Sequence, residues 1–187
     1  MRLFIALNLP PAERRAIHAA TAPIRDEIRG VSWVREDNLH VTVKFLGREP
    51  ADGVAAVGAR LDAVAAAHAR LALALGGVDA FPNLRAPRIV WMEADGGPAV
   101  GRLHHDVEAA CATFGYAAEG RGYRPHVTLG RVKSRLDGGA ARGLAEQARS
   151  VRYTSRVEVR SVDLMSSTLT PAGSRYAVVH SAPLGGA

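Results

Sequence analysis

The tetrad His-Val-Thr followed by an apolar residue occurs twice in this chain, as His40-Val41-Thr42-Val43 and as His126-Val127-Thr128-Leu129. Each copy lies in a stretch that reads as a β-strand, and alternation along a strand sends residues i and i+2 to one face. Each copy therefore presents an imidazole beside a hydroxyl, with valine or leucine on the opposite face. Imidazole titrates near neutrality, so two such strands facing one another would supply a proton acceptor, a proton donor and two hydroxyl donors. That is equipment for acid–base chemistry without a metal. One isolated His-x-Thr would carry little weight, because threonine is favoured in strands for its shape alone. Two copies, each soon followed by glycine (Gly47 and Gly130), carry much more.

The elements that must position these residues follow from periodicity. Arg2 to Leu9 alternates and stops at Pro10-Pro11, and the two prolines open a helix whose apolar positions Ile17, Ala20, Ile24 and Ile28 recur until Gly30. Trp33 to Glu36 is short and extended. Leu39, Val41, Val43 and Phe45 alternate with Asn38, His40, Thr42 and Lys44, a half-buried strand ended by Gly47. A helix is predicted over Ala51 to Ala69, with Val54, Val57, Leu61 and Val64 on its apolar stripe. Strands are predicted at Leu71 to Leu75 and Arg88 to Glu93, with turns at Gly76-Gly77 and Phe81-Pro82-Asn83. A second long helix runs from Pro98 to Phe114. Gly120, Gly122 and Pro125 bracket a loop that delivers His126 to Val132 as a strand. A weak helix follows over Ala140 to Arg149. A strand covers Arg156 to Met165, with a register change at Ser161, and a last one covers Tyr176 to His180.

Each half thus holds a His-Val-Thr strand, a helix nearby and hairpin-like strands after it. The pattern predicts an α+β fold: one domain over residues 1–187, built as two pseudo-symmetric lobes. Each lobe would be a small antiparallel or mixed sheet with helices outside and the active-site cleft between them.

Composition narrows the chemistry. A formal charge of +6 rests almost entirely on arginine, since lysine occurs only at Lys44 and Lys133. Arginine forks onto phosphate, so the balance suits a polyanionic partner. Cys111 is the only cysteine, which excludes an internal disulfide and a cysteine-based metal cluster; in an alanine-rich helix it reads as an inert buried thiol. The opening apolar stretch is too short for a secretory signal, and no segment is long enough to span a membrane, so the expected compartment is the cytoplasm. No phosphate-binding loop, nucleophile elbow or His-Glu-x-x-His helix is present. Neither a metal nor a cofactor is expected.

The two tetrads resemble the paired His-x-Thr-x signature of the two-histidine phosphoesterases. The phrases Asn38-Leu39-His40-Val41-Thr42-Val43-Lys44-Phe45-Leu46-Gly47 and Arg124-Pro125-His126-Val127-Thr128-Leu129-Gly130-Arg131, with the opening strand Arg2-Leu3-Phe4-Ile5-Ala6, are similar to one branch of it. That branch is the bacterial and archaeal RNA 2′,3′-cyclic phosphodiesterases, formerly called 2′-5′ RNA ligases. The resemblance covers nearly the whole chain. It implies metal-independent hydrolysis of a terminal 2′,3′-cyclic phosphate to a 2′-phosphate, with the reverse reaction joining RNA ends through a 2′-5′ linkage without ATP. The partners it implies are RNA ends or short oligonucleotides, met by a monomer.

The residues alone leave the two histidine roles open. The resemblance implies that His40 donates a proton to O3′ and His126 accepts one from water, with Thr42 and Thr128 donating to the non-bridging oxygens. Lys44 and Arg124 share strand parity with their histidines and are candidate phosphate contacts. Arg131 has the opposite parity, although a bulge near Gly130 would redirect it. Phe45 could stack on a base, but its parity places it with Val41 and Val43 in the core. His18, His68, His104, His105 and His180 read as surface or structural residues. Two other readings remain: a phosphodiesterase for small cyclic or 2′-5′-linked nucleotides, and an RNA-binding module without turnover.

Overall fold

A computed structural model describes residues 2–48, 53–120, 122–171 and 173–185. The elements are β1 (Arg2–Asn8), α1 (Pro11–Ala20), α2 (Ala22–Glu27), β2 (Val31–Trp33), a 3-10 turn at Glu36–Asn38, β3 (His40–Arg48), α3 (Gly53–Ala66), β4 (Leu71–Phe81) and β5 (Ile89–Asp95). They continue with α4 (Gly97–Ala112), β6 (His126–Val132), α5 (Gly138–Ser150), β7 (Thr154–Val159), β8 (Ser161–Thr170) and β9 (Gly173–Pro183). The predicted start of the third helix at Ala51 and Asp52 lies outside the described residues.

The fold is α+β. The strands form one curled antiparallel sheet in the order β7-β4-β5-β6-β3-β1-β8-β9, with β2 added to β6. Two separate sheets were expected. Instead the halves β7-β4-β5-β6 and β3-β1-β8-β9 are continuous, joined where Val41 of β3 faces Val127 of β6. The two histidine strands are therefore the central strands of the sheet.

Alternation divides the sheet into two chemically different faces. Along β1, Leu3, Ile5 and Leu7 enter the main core, which the helices cover, whereas Phe4 and Ala6 join Met165 and Tyr176 in a small cluster on the opposite face. Val41, Val43 and Val127 likewise enter the main core, leaving His40, Thr42, His126 and Thr128 on the face that the helices do not cover. Burying a valine or leucine is worth about 1.5–3 kcal/mol, so the aliphatic partners of each tetrad hold the polar pair in register.

Local differences from the predicted elements have specific causes. Gly76-Gly77 is not a turn. β4 continues through it to Phe81 because β5 and β7 pair with it on both sides, and the pairing skips a residue between Gly76 and Val78 while Gly77 takes a φ of 62°. The predicted strand over Arg156 to Met165 is two strands meeting at Arg160. At Gly130 an added Cβ would come within 2.6 Å of the Trp33 ring. The missing side chain lets β2 lie against β6 immediately after the second tetrad.

Candidate active site

The antiparallel register about Val41 and Val127 sets His40 beside Thr128 and Thr42 beside His126. Directly opposed residues in such a pair lie about 4.5–5.5 Å apart at Cβ, so all four polar side chains share one patch across two strands.

Each imidazole is oriented in the same way. The Nδ1–H of His40 donates to the carbonyl oxygen of Asn38 (2.7 Å), and that of His126 donates to the carbonyl of Arg124 (2.8 Å). A carbonyl can only accept, so Nδ1 carries the proton and Nε2 is left as the working nitrogen in both rings. Nε2 of His40 accepts from the Thr42 hydroxyl at 3.0 Å. Aromatic walls complete each half. Phe4 and Tyr176 flank His40 at centroid distances of 5.0 and 5.4 Å, and Phe81 and Trp91 flank His126 at 5.2 and 5.8 Å.

Both imidazoles are held below the usual value of 6.5, chiefly by burial. For His40 the neighbouring His126 and Arg131 add to the effect; for His126 the guanidinium groups of Arg131 and Arg124 do so. The carbonyl acceptors pull the other way without overcoming it.

Two bulges decide what else enters the site. In β3 the pairing with β1 moves from Ala6–Thr42 to Ile5–Lys44, leaving Val43 as an extra residue. In β6 the pairing with β5 moves from Trp91–Thr128 to Val90–Gly130, leaving Leu129 as an extra residue. Each bulge reverses strand parity just past its threonine. The reversal corrects the expectation for Lys44. It turns to the helix side, is 1% exposed, and places Nζ 2.8 Å from Glu108 Oε1 of α4 and 2.9 Å from the Ala117 carbonyl. It is no groove-facing phosphate contact. Phe45, assigned to the core by parity, is instead 60% exposed and lines the groove. Arg131 is redirected into the groove, as a bulge near Gly130 requires. The two strands thus present His40, Thr42 and Phe45 on one side, and His126, Thr128 and Arg131 on the other.

A cavity of about 250 Å³ opens over the first set. His40, Thr42 and Phe45 line it together with Phe4, Tyr176, Leu169, Thr128 and Arg131. Arg124 stands at the other edge, its guanidinium carbon 4.4 Å from the centre of the Trp91 ring. The aromatic walls were not singled out from the sequence. The signal was nonetheless there: Phe4 and Trp91 alternate against the aliphatic residues of their own strands.

Behind the site, Lys44 and Glu108 anchor the segment that leads into His126. Glu108 also accepts from the Glu119 amide (3.4 Å), and Tyr123, stacked 3.9 Å from His104, donates to the Thr42 carbonyl (3.0 Å). His68 and His180 pair with Asp106 and Asp62, each at 2.8 Å. Burial pushes the Cys111 thiol up to about 11, as suits an inert side chain. Among the described residues no group of three or more His, Cys, Asp or Glu side chains is placed to hold a metal ion, and no helix is long and apolar enough to cross a membrane.

Comparison with known proteins identifies a family and a shared fold. The family model of the 2′-5′ RNA ligase superfamily matches residues 10–170. The RNA 2′,3′-cyclic phosphodiesterase of Archaeoglobus fulgidus is 33% identical over 184 residues, covering 94% of this chain and 96% of that one. Its namesake in Aeropyrum pernix is 33% identical over 164 residues, covering 85% and 92%. A third, from Geobacillus stearothermophilus, is 34% identical over 128 residues, which are 68% of this chain and 41% of that one. Among solved structures, the protein TT0787 of Thermus thermophilus superposes with a TM-score of 0.82 at 27% identity, covering 100% of this chain and 99% of that one. Escherichia coli LigT complexed with 3′-AMP shares the fold, with a TM-score of 0.71 at 22% identity and coverage of 98% and 97%.

Proposed function

Because the chain belongs to the 2′-5′ RNA ligase superfamily, we propose that it hydrolyses the 2′,3′-cyclic phosphate at the end of an RNA to a 2′-phosphate, by acid–base catalysis between His40 and His126. The observation that carries this reading is the meeting of both His-x-Thr pairs across one strand pair, each ring with its Nδ1 proton tied to a carbonyl and Nε2 left to react.

In-line displacement puts the attacking and leaving oxygens on opposite sides of phosphorus. The cavity over His40, walled by Phe4, Phe45, Leu169 and Tyr176, suits a nucleoside; Phe45 is free to stack on its base. The leaving O3′ belongs to that nucleoside, so protonated His40 delivers its Nε2 proton to O3′ as the P–O3′ bond breaks. His126, on the far side, takes a proton from water as the new P–O bond forms. Water and the cyclic diester thus give a 3′-hydroxyl and a 2′-monoester with no net proton consumed: His126 gains one, His40 loses one, and exchange with solvent restores both rings. Each transfer is typically worth about 10²- to 10⁴-fold. Thr42 and Thr128 donate to the non-bridging oxygens, where a pre-placed donor contributes about 3–4 kcal/mol, and Arg131 faces the same charge. Arg124, resting on Trp91, serves the water side. No step calls for a metal or ATP. With a 5′-hydroxyl in place of water as the nucleophile, the same displacement of O3′ forms a 2′-5′ linkage; abundant water favours hydrolysis.

The test is incubation of an RNA ending in a 2′,3′-cyclic phosphate, with EDTA present, followed by identification of the product. A 2′-monoester is expected. A 3′-monoester would reverse the assignment of the leaving oxygen, and dependence on added metal would overturn the two-histidine mechanism.

A further inference from the structure

A second groove, of about 500 Å³, lies between the Glu36–Asn38 turn and the β8–β9 hairpin. It meets the His40 cavity along a shared rim of Asn38, Ser174 and Tyr176. The rim is fixed: the Asn38 amide donates to the Ser174 carbonyl at 2.8 Å, while the carbonyl of Asn38 orients the His40 ring. Arg35 and Arg175 stand in the walls of this groove, both exposed. Neither guanidinium has an ion-pair or hydrogen-bond partner among the described residues, whereas Arg70 and Arg160 are both paired with Glu158. Asp37 shares the wall, so two arginines face one carboxylate; Arg14 stands behind it, donating to the Asp37 backbone carbonyl at 2.9 Å.

Unpaired guanidinium groups along a groove that opens from a nucleoside-sized cavity fit a chain of phosphodiesters. The direction is set by the chemistry. If the terminal nucleoside occupies the His40 cavity, its 5′ oxygen must leave by one end of that cavity, and this groove adjoins it on the side away from His126. We propose that the groove binds the backbone phosphate on the 5′ side of the terminal nucleotide through Arg35 and Arg175, so that the enzyme selects oligonucleotide ends over cyclic mononucleotides. The proposal rests on the phosphodiesterase reading above and adds the substrate length that the catalytic residues do not specify.

The experiment compares kcat/KM for a nucleoside 2′,3′-cyclic phosphate with that for a dinucleotide ending in the same group, using the wild type and Arg35→Ala/Arg175→Ala. The wild type should prefer the dinucleotide. The variant should lose about tenfold to a hundredfold on it, the range for charge-assisted hydrogen bonds, and less than about threefold on the mononucleotide. The salt dependence of log kcat/KM for the dinucleotide should flatten by about 0.7, as for one lost single-strand phosphate contact. Equal losses on both substrates, or no loss on either, would overturn the proposal. If the wild type turns over neither substrate, the phosphodiesterase reading fails on its own, and binding of a labelled single-stranded RNA by anisotropy decides the groove. Weaker binding by the variant supports the subsite; equal affinity removes it.

Discussion

Replacing Lys44 by methionine separates a buried strut from a substrate contact. Lys44 is 1% exposed, its ammonium 2.8 Å from Glu108 and 2.9 Å from the Ala117 carbonyl, and Glu108 is itself only 13% exposed. Methionine preserves most of the volume but strands the Glu108 carboxylate in a poorly solvated place. Breaking a buried pair from one side costs about 3–5 kcal/mol. For a chain of this length each kcal/mol corresponds to about 2–4 °C, so the melting temperature should drop by about 6–20 °C. Lys44→Met/Glu108→Leu removes both charges and should regain most of the loss, because apolar replacement of a buried pair is often neutral or stabilising. Urea unfolding of the wild type, both single variants and the double variant gives the coupling energy directly. Were Lys44 instead a groove-facing phosphate ligand, its loss would raise KM and leave stability within about 0.5 kcal/mol, as for surface substitutions generally. An unfolding free energy for Lys44→Met within about 1 kcal/mol of the wild type would refute the strut.

His40→Ala and His126→Ala should each lower kcat by about 10²- to 10⁴-fold while leaving the affinity for a nucleoside 2′-phosphate nearly unchanged at about pH 8, where both rings are neutral; normal turnover by both variants would mean that these histidines do not carry the reaction. Phe45→Ala should weaken nucleotide binding by about tenfold to a hundredfold, the value of one base–aromatic stack, and an unchanged KM would remove the base from that wall. The pH profile has a definite sign. Catalysis needs one neutral and one protonated ring, and both rings are held below 6.5, so kcat/KM should peak on the acid side of 6.5 and decline towards pH 8. A bound anion raises both rings, which places the kcat optimum at higher pH than that of kcat/KM; an alkaline kcat/KM maximum would contradict this. Stability follows the same protons. The unfolded rings bind protons more readily than the folded ones, so the contribution of these histidines is present above 6.5 and lost as the pH falls through the folded values, as chemical unfolding between about pH 7 and 5 would measure.

The paired tetrads, the α+β class and the order of the long helices were legible because each is a local pattern: repetition, or a period of two or about 3.6 residues. What failed was parity extended too far. Lys44 lies two residues beyond Thr42 and should share its face, but the bulge at Val43 intervenes, and that bulge is a property of the pairing between β3 and β1. One inserted residue exchanges every later side chain between faces, which is why Lys44 and Phe45 are each on the side expected of the other. The same event in β6 brings Arg131 into the groove. The union of two expected sheets into one is likewise non-local, since it depends on the contact of Val41 with Val127. Gly76-Gly77 carried a turn signal that the flanking strands overrode.

The central claim is that both imidazoles reach a single phosphorus atom. Its most direct test is nitrogen NMR of the histidine rings while a nucleoside 2′-phosphate is titrated in. The Nε2 resonances of His40 and His126 should both shift along one saturation curve, and both pKa values should rise when the phosphate binds. A response confined to one ring, or two responses with different affinities, would mean that the rings do not share a substrate and that this account of the site is wrong.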